Sequence, residues 1–379
     1  MHSERPSSIS FASENQSKRA HNLRRANRSR RPWTLARACG FGTALLALGS
    51  FVIPVQYITE QPGPTFNTIG EYDGKQLITI EGEKSYPVEG QLDMTTVSVA
   101  GGPNTDVNSL YVLANFFDKA SNVVPSALMY APTTSSDEVS AQNAADMTDS
   151  QQNAEAAALT YLKKDFTEKL VVAGLADDSA SADKIQENDV VTAINGEKLE
   201  HYDQLNKLVD ESDGKEITVT VERDGKEHNV AVTPRYNEDS QKYLLGLYIK
   251  KDYTFPFTVN YGLEEVGGPS AGMMFALGII DELNEVNMTG GKHFAGTGTI
   301  DSAGNVGAIG GAPQKLTGAQ DAGAEIFLLP ADNCADVAGR IPEGLTVIPV
   351  KTLDEAAQTV QQIGEGSKDP SDFASCPAP

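Results

Sequence analysis

The chain has 379 residues, 40% hydrophobic and 22% charged, which suits two or three folded domains and excludes a collagen or a wholly disordered polymer. Nine Lys/Arg against Glu4 and Glu14 make the first 37 residues basic, and the remainder holds 21 basic and 50 acidic residues, a net of −29. A body that acidic repels phosphate backbones, which argues against nucleic acid as a partner, and three cysteines are too few for a zinc cluster or a disulfide scaffold.

After the basic leader (1–37), Ala38–Thr59 is 22 residues without a charge. As a helix it reaches ~33 Å, against about 30 Å for a bilayer core. Pro54 and Gln56 lie near its far end, where a helix break costs least. The cations precede it, so the positive-inside rule predicts a single-pass anchor with a cytoplasmic N-terminus and an extracytoplasmic body. A signal peptide cleaved near Ala47-Leu48-Gly49 is the alternative. The long basic leader and the apolar residues past that site weigh against it. Disulfides persist in an extracytoplasmic body. There Cys334 and Cys376 either pair and clip the C-terminal tail, or Cys334 stays a free buried thiol. Cys39 falls inside the span.

Gln61-Pro-Gly-Pro64 is a stiff exit from the span. Gln76–Glu81 and Leu92–Ala100 alternate as strands do. Leu110–Ala120 predicts a short helix. Ser135–Leu162 is rich in Ala, Gln, Asp and Glu with little apolar periodicity, and predicts one or two exposed helices. Leu170–Pro234 has the pattern of a small β-rich module. Its strands flank a helix at Tyr202–Asp210, with turns at Asn195-Gly196 and Asp224-Gly225. Beyond Tyr243 the chain becomes rich in Gly, Ala and long apolar runs.

Two segments there carry chemistry. Gly267-Gly-Pro-Ser-Ala-Gly272 runs into an apolar helix, Met273–Leu283. Ser270 at that helix start is either a cap for orphan amides or a nucleophile beside amides able to hold an oxyanion. The second segment, Thr297–Lys315, predicts two short strands around Ala303-Gly304. A break follows at Gly310-Gly311, then a helix opened by Pro313 with Lys315 in its first turn. The helix dipole opposes a cation there, and burial would lower its pKa further, towards the neutral amine a general base needs. A lysine snorkelling to solvent is the plainer alternative. Of five histidines only His293 lies nearby. A Ser270–His293–Asp301 triad can be written, though no spacing supports it, whereas a Ser–Lys dyad needs no histidine. No H-E-x-x-H and no G-x-x-x-x-G-K-[ST] occurs, so metalloprotease and ATPase chemistry lose their main support and no metal or cofactor is expected.

Ile185–Gly196 (I-x-E-N-D-V-V-T-A-I-N-G), followed by a helix, resembles a PDZ domain of secreted bacterial proteases, with Asn188-Asp189 in place of the usual Gly-Asp. That resemblance implies a peptide added to a sheet edge beside a helix. The expected groove lies between Leu170–Leu175 and Tyr202–Asp210 and is lined by Leu170, Val171, Val172 and Leu205. G-P-S-A-G, then T-G-x-I-x-x-x-G-x-V-x-x-I-G-G-x-x-x-K, then A-x-x-A-G-A-x-x-x-x-L-P resembles the proteolytic domain of Lon-type serine peptidases, with 45 residues from Ser270 to Lys315. With the span and the PDZ-like module, the post-membrane chain is similar to the bacterial membrane-anchored, PDZ-containing Lon-like proteases.

The resemblance implies Ser270 as nucleophile, Lys315 as general base and Thr297 as the residue orienting that lysine. It assigns the oxyanion hole to the backbone of Gly268, Ser270 and Ala271. Lys292 is the nearest competing amine and lies outside the motif. Gly267 stands where Lon has an Asp. The implied fold is α+β: a Lon-type domain at 240–364, its sheet completed by strands from 60–164, those of Gln76–Ala100, with a PDZ module at 165–236 inserted in it or standing apart, and a flexible tail at 365–379. The implied function is an ATP-independent, membrane-anchored serine endopeptidase acting on extracytoplasmic peptides or proteins. It uses no nucleotide, and because Lon relatives form rings a homo-oligomer stays open. The alternative is a non-catalytic PDZ tether or scaffold.

Overall fold

A computed structural model describes residues 34–376 apart from Asn104, Pro132, Asp239, Glu264 and Glu265. The expected leader therefore lies almost entirely outside the described residues. The chain divides into two compact units, residues up to Val55 with Asn108–Tyr111, and all the rest. In the first, α1 (Leu35–Val52) has no buried residue and is long and apolar enough to cross a membrane.

The expected span of Ala38–Thr59 needs correction at both ends. The helix starts three residues earlier and stops at Val52, so its 18 residues cover ~27 Å. Ile53 is already extended and Pro54 cannot continue the ladder. Tyr57 opens a strand whose Ile58 and Thr59 are fully buried.

The second unit follows in chain order. Strands β1 (Tyr57–Asn67), β2 (Ile78–Glu81) and β3 (Gln91–Gly101) precede helix α2 (Ser109–Phe116, in this unit from Val112 on), edge strand β4 (Asn122–Pro125) and the long helix α3 (Ser136–Leu162). Next come β5 (Thr167–Leu175), β6 (Val190–Ile194), α4 (Tyr202–Asp210), β7 (Ile217–Arg223), β8 (Lys226–Val232) and β9 (Leu247–Thr254). The chain returns through β10 (Thr258–Tyr261), α5 (Gly272–Leu283), β11 (His293–Gly296) and the short pair β12 (Thr299–Ile300) and β13 (Val306–Gly307). It ends with α6 (Ala312–Asp321), β14 (Ile326–Pro330), β15 (Thr346–Val350) and α7 (Leu353–Gly364).

A six-stranded sheet has the order β15-β14-β11-β3-β1-β4. β15, β14, β11 and β3 run parallel, while β1 pairs antiparallel with both β3 and β4. Three of its strands precede the β-rich module in sequence and three follow it. Its core holds α5, whose residues from Gly272 to Glu282 are all buried, which is why M-M-F-A-L-G-I-I is apolar all round. α6 packs on the other face through Ala312, Leu316 and Ala319.

A second sheet, β8-β7-β6-β5-β9, is antiparallel throughout and closes its own core with α4. Asp189 and Arg223 form a two-pronged ion pair across it, at 2.6 and 2.7 Å. The guanidinium and the Gln186 amide hold the Asp189 carboxyl below its usual range, although burial acts against them.

Three further expectations need correction. Ser135–Leu162 is one helix, opened by a capping box at Ser135 and Glu138, and its second half is buried rather than exposed. Ala154, Ala156, Ala157, Ala158 and Leu159 are covered because α3 packs against α5. Alanine gives little hydrophobic periodicity, yet it allows close helix approach. Of the stretch Gln76–Ala100, only β3 joins the large sheet; Ile78–Glu81 pairs instead with Thr258–Tyr261. Residues 365–376 are not a free tail, because Cys376 is bonded to Cys334 and Phe373 packs on the core.

Candidate active site

Ser270 occupies the tight turn before α5, and helix α3 supports that turn from behind. The Gly268 amide donates to the Asn143 carbonyl at 2.9 Å, and Ser150 Oγ donates to the Pro269 carbonyl at 3.0 Å. Gly268 has φ +92°, a conformation that strains any residue with a Cβ. A Cβ on Gly267 would stand 2.6 Å from Asn143 Cβ. This accounts for glycine where Lon has aspartate: α3 fills the space a side chain would need. Gly267→Asp is expected to displace the loop, lowering the melting temperature and cleavage together; thermal unfolding and a peptide-cleavage assay check this.

The serine backbone is clamped to the chain leaving β11. Its carbonyl accepts from the Gly298 amide at 2.9 Å and from Thr297 Oγ1 at 3.0 Å. Lys315 approaches from the first turn of α6, whose start is fixed by Gly311 at φ +68° and by Pro313. Lys315 Nζ donates to Ser270 Oγ and to Thr297 Oγ1, both at 2.8 Å. Thr297 is fully buried and Lys315 is 2% exposed. Burial alone pushes the lysine down to about 7, since no carboxylate among the described residues compensates its charge.

The other named residues lie elsewhere. His293 Nε2 is 2.9 Å from Asp93 Oδ2, and Asp301 accepts from both the amide and the carboxamide of Asn305, so neither meets Ser270. Lys292 Nζ donates to the Ile363 carbonyl. Of the three oxyanion amides, Gly268 is a correction: its N–H is committed to Asn143 and cannot also face a reacting carbonyl. The amides of Ser270 and Ala271 donate to no group among the described residues.

A cleft of about 780 Å³ opens over Ser270 and Lys315. One wall is Thr95–Val99 of β3. β11 pairs with β3 only as far as Met94, so beyond that point this edge of β3 has no neighbouring strand among the described residues.

The expected peptide groove is also a correction. β5 is paired on one side with β6 and on the other with β9 along its whole length, so Leu170, Val171 and Val172 offer no open edge. Leu170, Val172 and Leu205 are core residues. The edge strands of that sheet are β8 and, beyond Gly246 at φ +72°, β9. Its L-Y-I-K-K-D-Y-T alternation was the available signal, but it lies past Pro234, in what reads as the start of the next domain. The contribution of α3 to the serine turn had no signal at all, because Asn143 and Ser150 sit in a polar run.

Comparison with known proteins finds domains in two stretches of the chain. The Lon protease (S16) C-terminal proteolytic domain matches residues 255–362, and a PDZ domain matches residues 145–233. Archaeal Lon protease of Methanocaldococcus jannaschii is 36% identical over 110 residues, 29% of this chain and 16% of that protein. The probable protease eep of Enterococcus faecalis is 28% identical over 109 residues, 28% of this chain and 26% of that protein. The chain thus spans about a sixth to a quarter of the length of these curated relatives. The solved PDZ domain of the SdrC-like protein from Listeria innocua covers 21% of this chain and 92% of its own at 12% identity, with a TM-score of 0.21 that carries no weight. The chain therefore contains a Lon-type proteolytic domain and, ahead of it in sequence, a PDZ domain.

Proposed function

We propose that this protein is a serine endopeptidase in which Lys315 is the general base and Ser270 the nucleophile. The observation that carries the proposal is a buried amine with no counter-ion among the described residues, 2.8 Å from a serine hydroxyl at the floor of an open cleft. When neutral, the amine keeps one N–H on Thr297 Oγ1 and offers its lone pair to the serine proton. Ser270 Oγ then attacks the peptide carbonyl while the Ser270 and Ala271 amides hold the oxyanion. The protonated lysine returns its proton to the departing amine. Water, deprotonated by the same lysine, releases the acyl group.

The open edge of β3 suits an extended substrate lying beside Thr95–Val99, and β9 offers a second edge for strand addition in the PDZ sheet. No nucleotide motif occurs in the sequence, so the proposal assigns no ATP requirement. α1 anchors the body to the membrane, and the cations before it put the body outside the cytoplasm. Purified full-length protein should cleave an unfolded polypeptide without nucleotide. Ser270→Ala should lose about 10⁴-fold in rate while melting at an unchanged temperature. Cleavage retained by a folded Ser270→Ala protein would reject Ser270 as the nucleophile, and no cleavage by the unsubstituted protein would leave binding without catalysis.

A further inference from the structure

We propose that an apolar face at the β4 edge of the large sheet docks onto the surface of a lipid bilayer. This rests on α1 being a membrane span. The face begins with α2, which is built inside out. Its one buried residue is Asn115, whose Oδ1 accepts from Ser121 Oγ at 3.0 Å and from Gln61 Nε2. Its apolar side chains point to solvent instead: Leu113 is 52% exposed, Phe116 69%, and Phe117, just past the helix, 76%. A turn at Asp118–Ser121 leads into β4, the last strand of the sheet, and the chain then exposes Leu128 at 78%. Soluble bodies rarely display large apolar side chains in such concentration unless something covers them.

Two observations identify the cover as lipid. The first is tethering. β1 and β4 pair at Tyr57 and Pro125, and only Ile53–Gln56 separate Tyr57 from the end of α1. That linker reaches at most ~18 Å, so the face is tied close to where the span ends. The second is charge. Residues 105–134 contain only Asp106, Asp118 and Lys119, a net of −1 in a body of −29. This is a stretch that an anionic membrane does not repel, and its tyrosines suit the headgroup region.

Docking has a consequence for the proposed protease. Val99 and Met129, the latter next in sequence to Leu128, are exposed apolar residues that also line the cleft over Ser270. One rim of the cleft therefore rests at the bilayer, where it receives chain segments as they leave the membrane.

The test uses the full chain in phospholipid nanodiscs, with p-benzoylphenylalanine replacing one residue at a time: Phe117, Leu128, Leu46 within α1, and Tyr236 as an exposed control. After illumination, adducts are weighed by mass spectrometry. Lipid adducts at 117 and 128, about tenfold above those at 236 and comparable to those at 46, are expected. Lipid adducts at 46 alone would overturn docking while leaving the span standing. Crosslinks from 117 or 128 to another copy of the chain would overturn it in favour of self-association. Absence of lipid at 46 would remove the span and the proposal with it.

Discussion

Replacing Lys315 with methionine is expected to stabilise the fold and abolish cleavage in a single step. A lysine that ordinarily titrates near 10.5 sits in a pocket that lowers it to about 7, and burial is the cause. The unfolded chain thus binds the proton more tightly than the folded one across that interval. Stability from this group is least at and below pH 7, and rises with pH until the unfolded lysine also loses its proton. Near neutrality the buried amine costs the folded state on the order of 4 kcal/mol. Methionine has a similar shape and no charge, and Thr297 Oγ1 keeps its bond to the Ser270 carbonyl. Ser270 Oγ loses a partner but faces the open cleft, where water replaces it. A gain of about 2 kcal/mol should remain, seen as a melting temperature higher by several degrees at pH 7. Peptide cleavage should fall by about 10⁴-fold. A variant no more stable than its parent would mean that the amine is not desolvated. A variant that still cleaves would mean that the base lies elsewhere.

The second large effect is on pH. Only the neutral amine can accept the serine proton, so kcat/KM should climb about tenfold per pH unit below 7 and level off above it. No descending limb near neutrality is expected, because the lysine itself returns the proton to the leaving group. Buried carboxyls titrate in the same window with the opposite consequence for stability. Burial raises Glu155 and Glu282 to about 7 and Asp281 to about 6. The folded state holds their protons more tightly, so their contribution is complete below the ordinary carboxyl range and fades as pH rises towards 7. Rate should therefore rise over an interval in which these groups weaken the fold, and initial rates measured beside melting temperatures separate the two. A flat or falling rate from pH 5 to 9 would exclude the lysine as base.

The proposed catalytic residues were legible because glycine and proline punctuate the chain around them. Gly267-Gly-Pro before α5 and Gly310-Gly-Ala-Pro before α6 fix where each helix starts, and each start delivers one reacting side chain. α4 and the β7–β8 hairpin were equally clear, from helical periodicity and from Asp224-Gly225. Features that depend on the identity of a neighbour were not legible. Nothing in T-E-K-L-V-V-A-G-L reveals that β9 occupies its outer edge, because strand pairing is a property of two segments. Nothing in the alanines of α3 reveals that they lie against α5, or that Asn143 takes the Gly268 amide away from an oxyanion hole. The charge-free run from Ala38 to Thr59 also hid its own break. Hydropathy does not distinguish a residue facing lipid from Ile58, buried in a sheet.

Selective ¹³Cε labelling of lysine, with Lys315 assigned by its absence in the Lys315→Met protein, reports the amine directly through a pH titration. A midpoint near 7, in protein with Ser270 still present, is the predicted result. A midpoint near the ordinary value of 10.5 would show an ammonium in contact with water at neutral pH, and that would contradict the proposed catalytic pair.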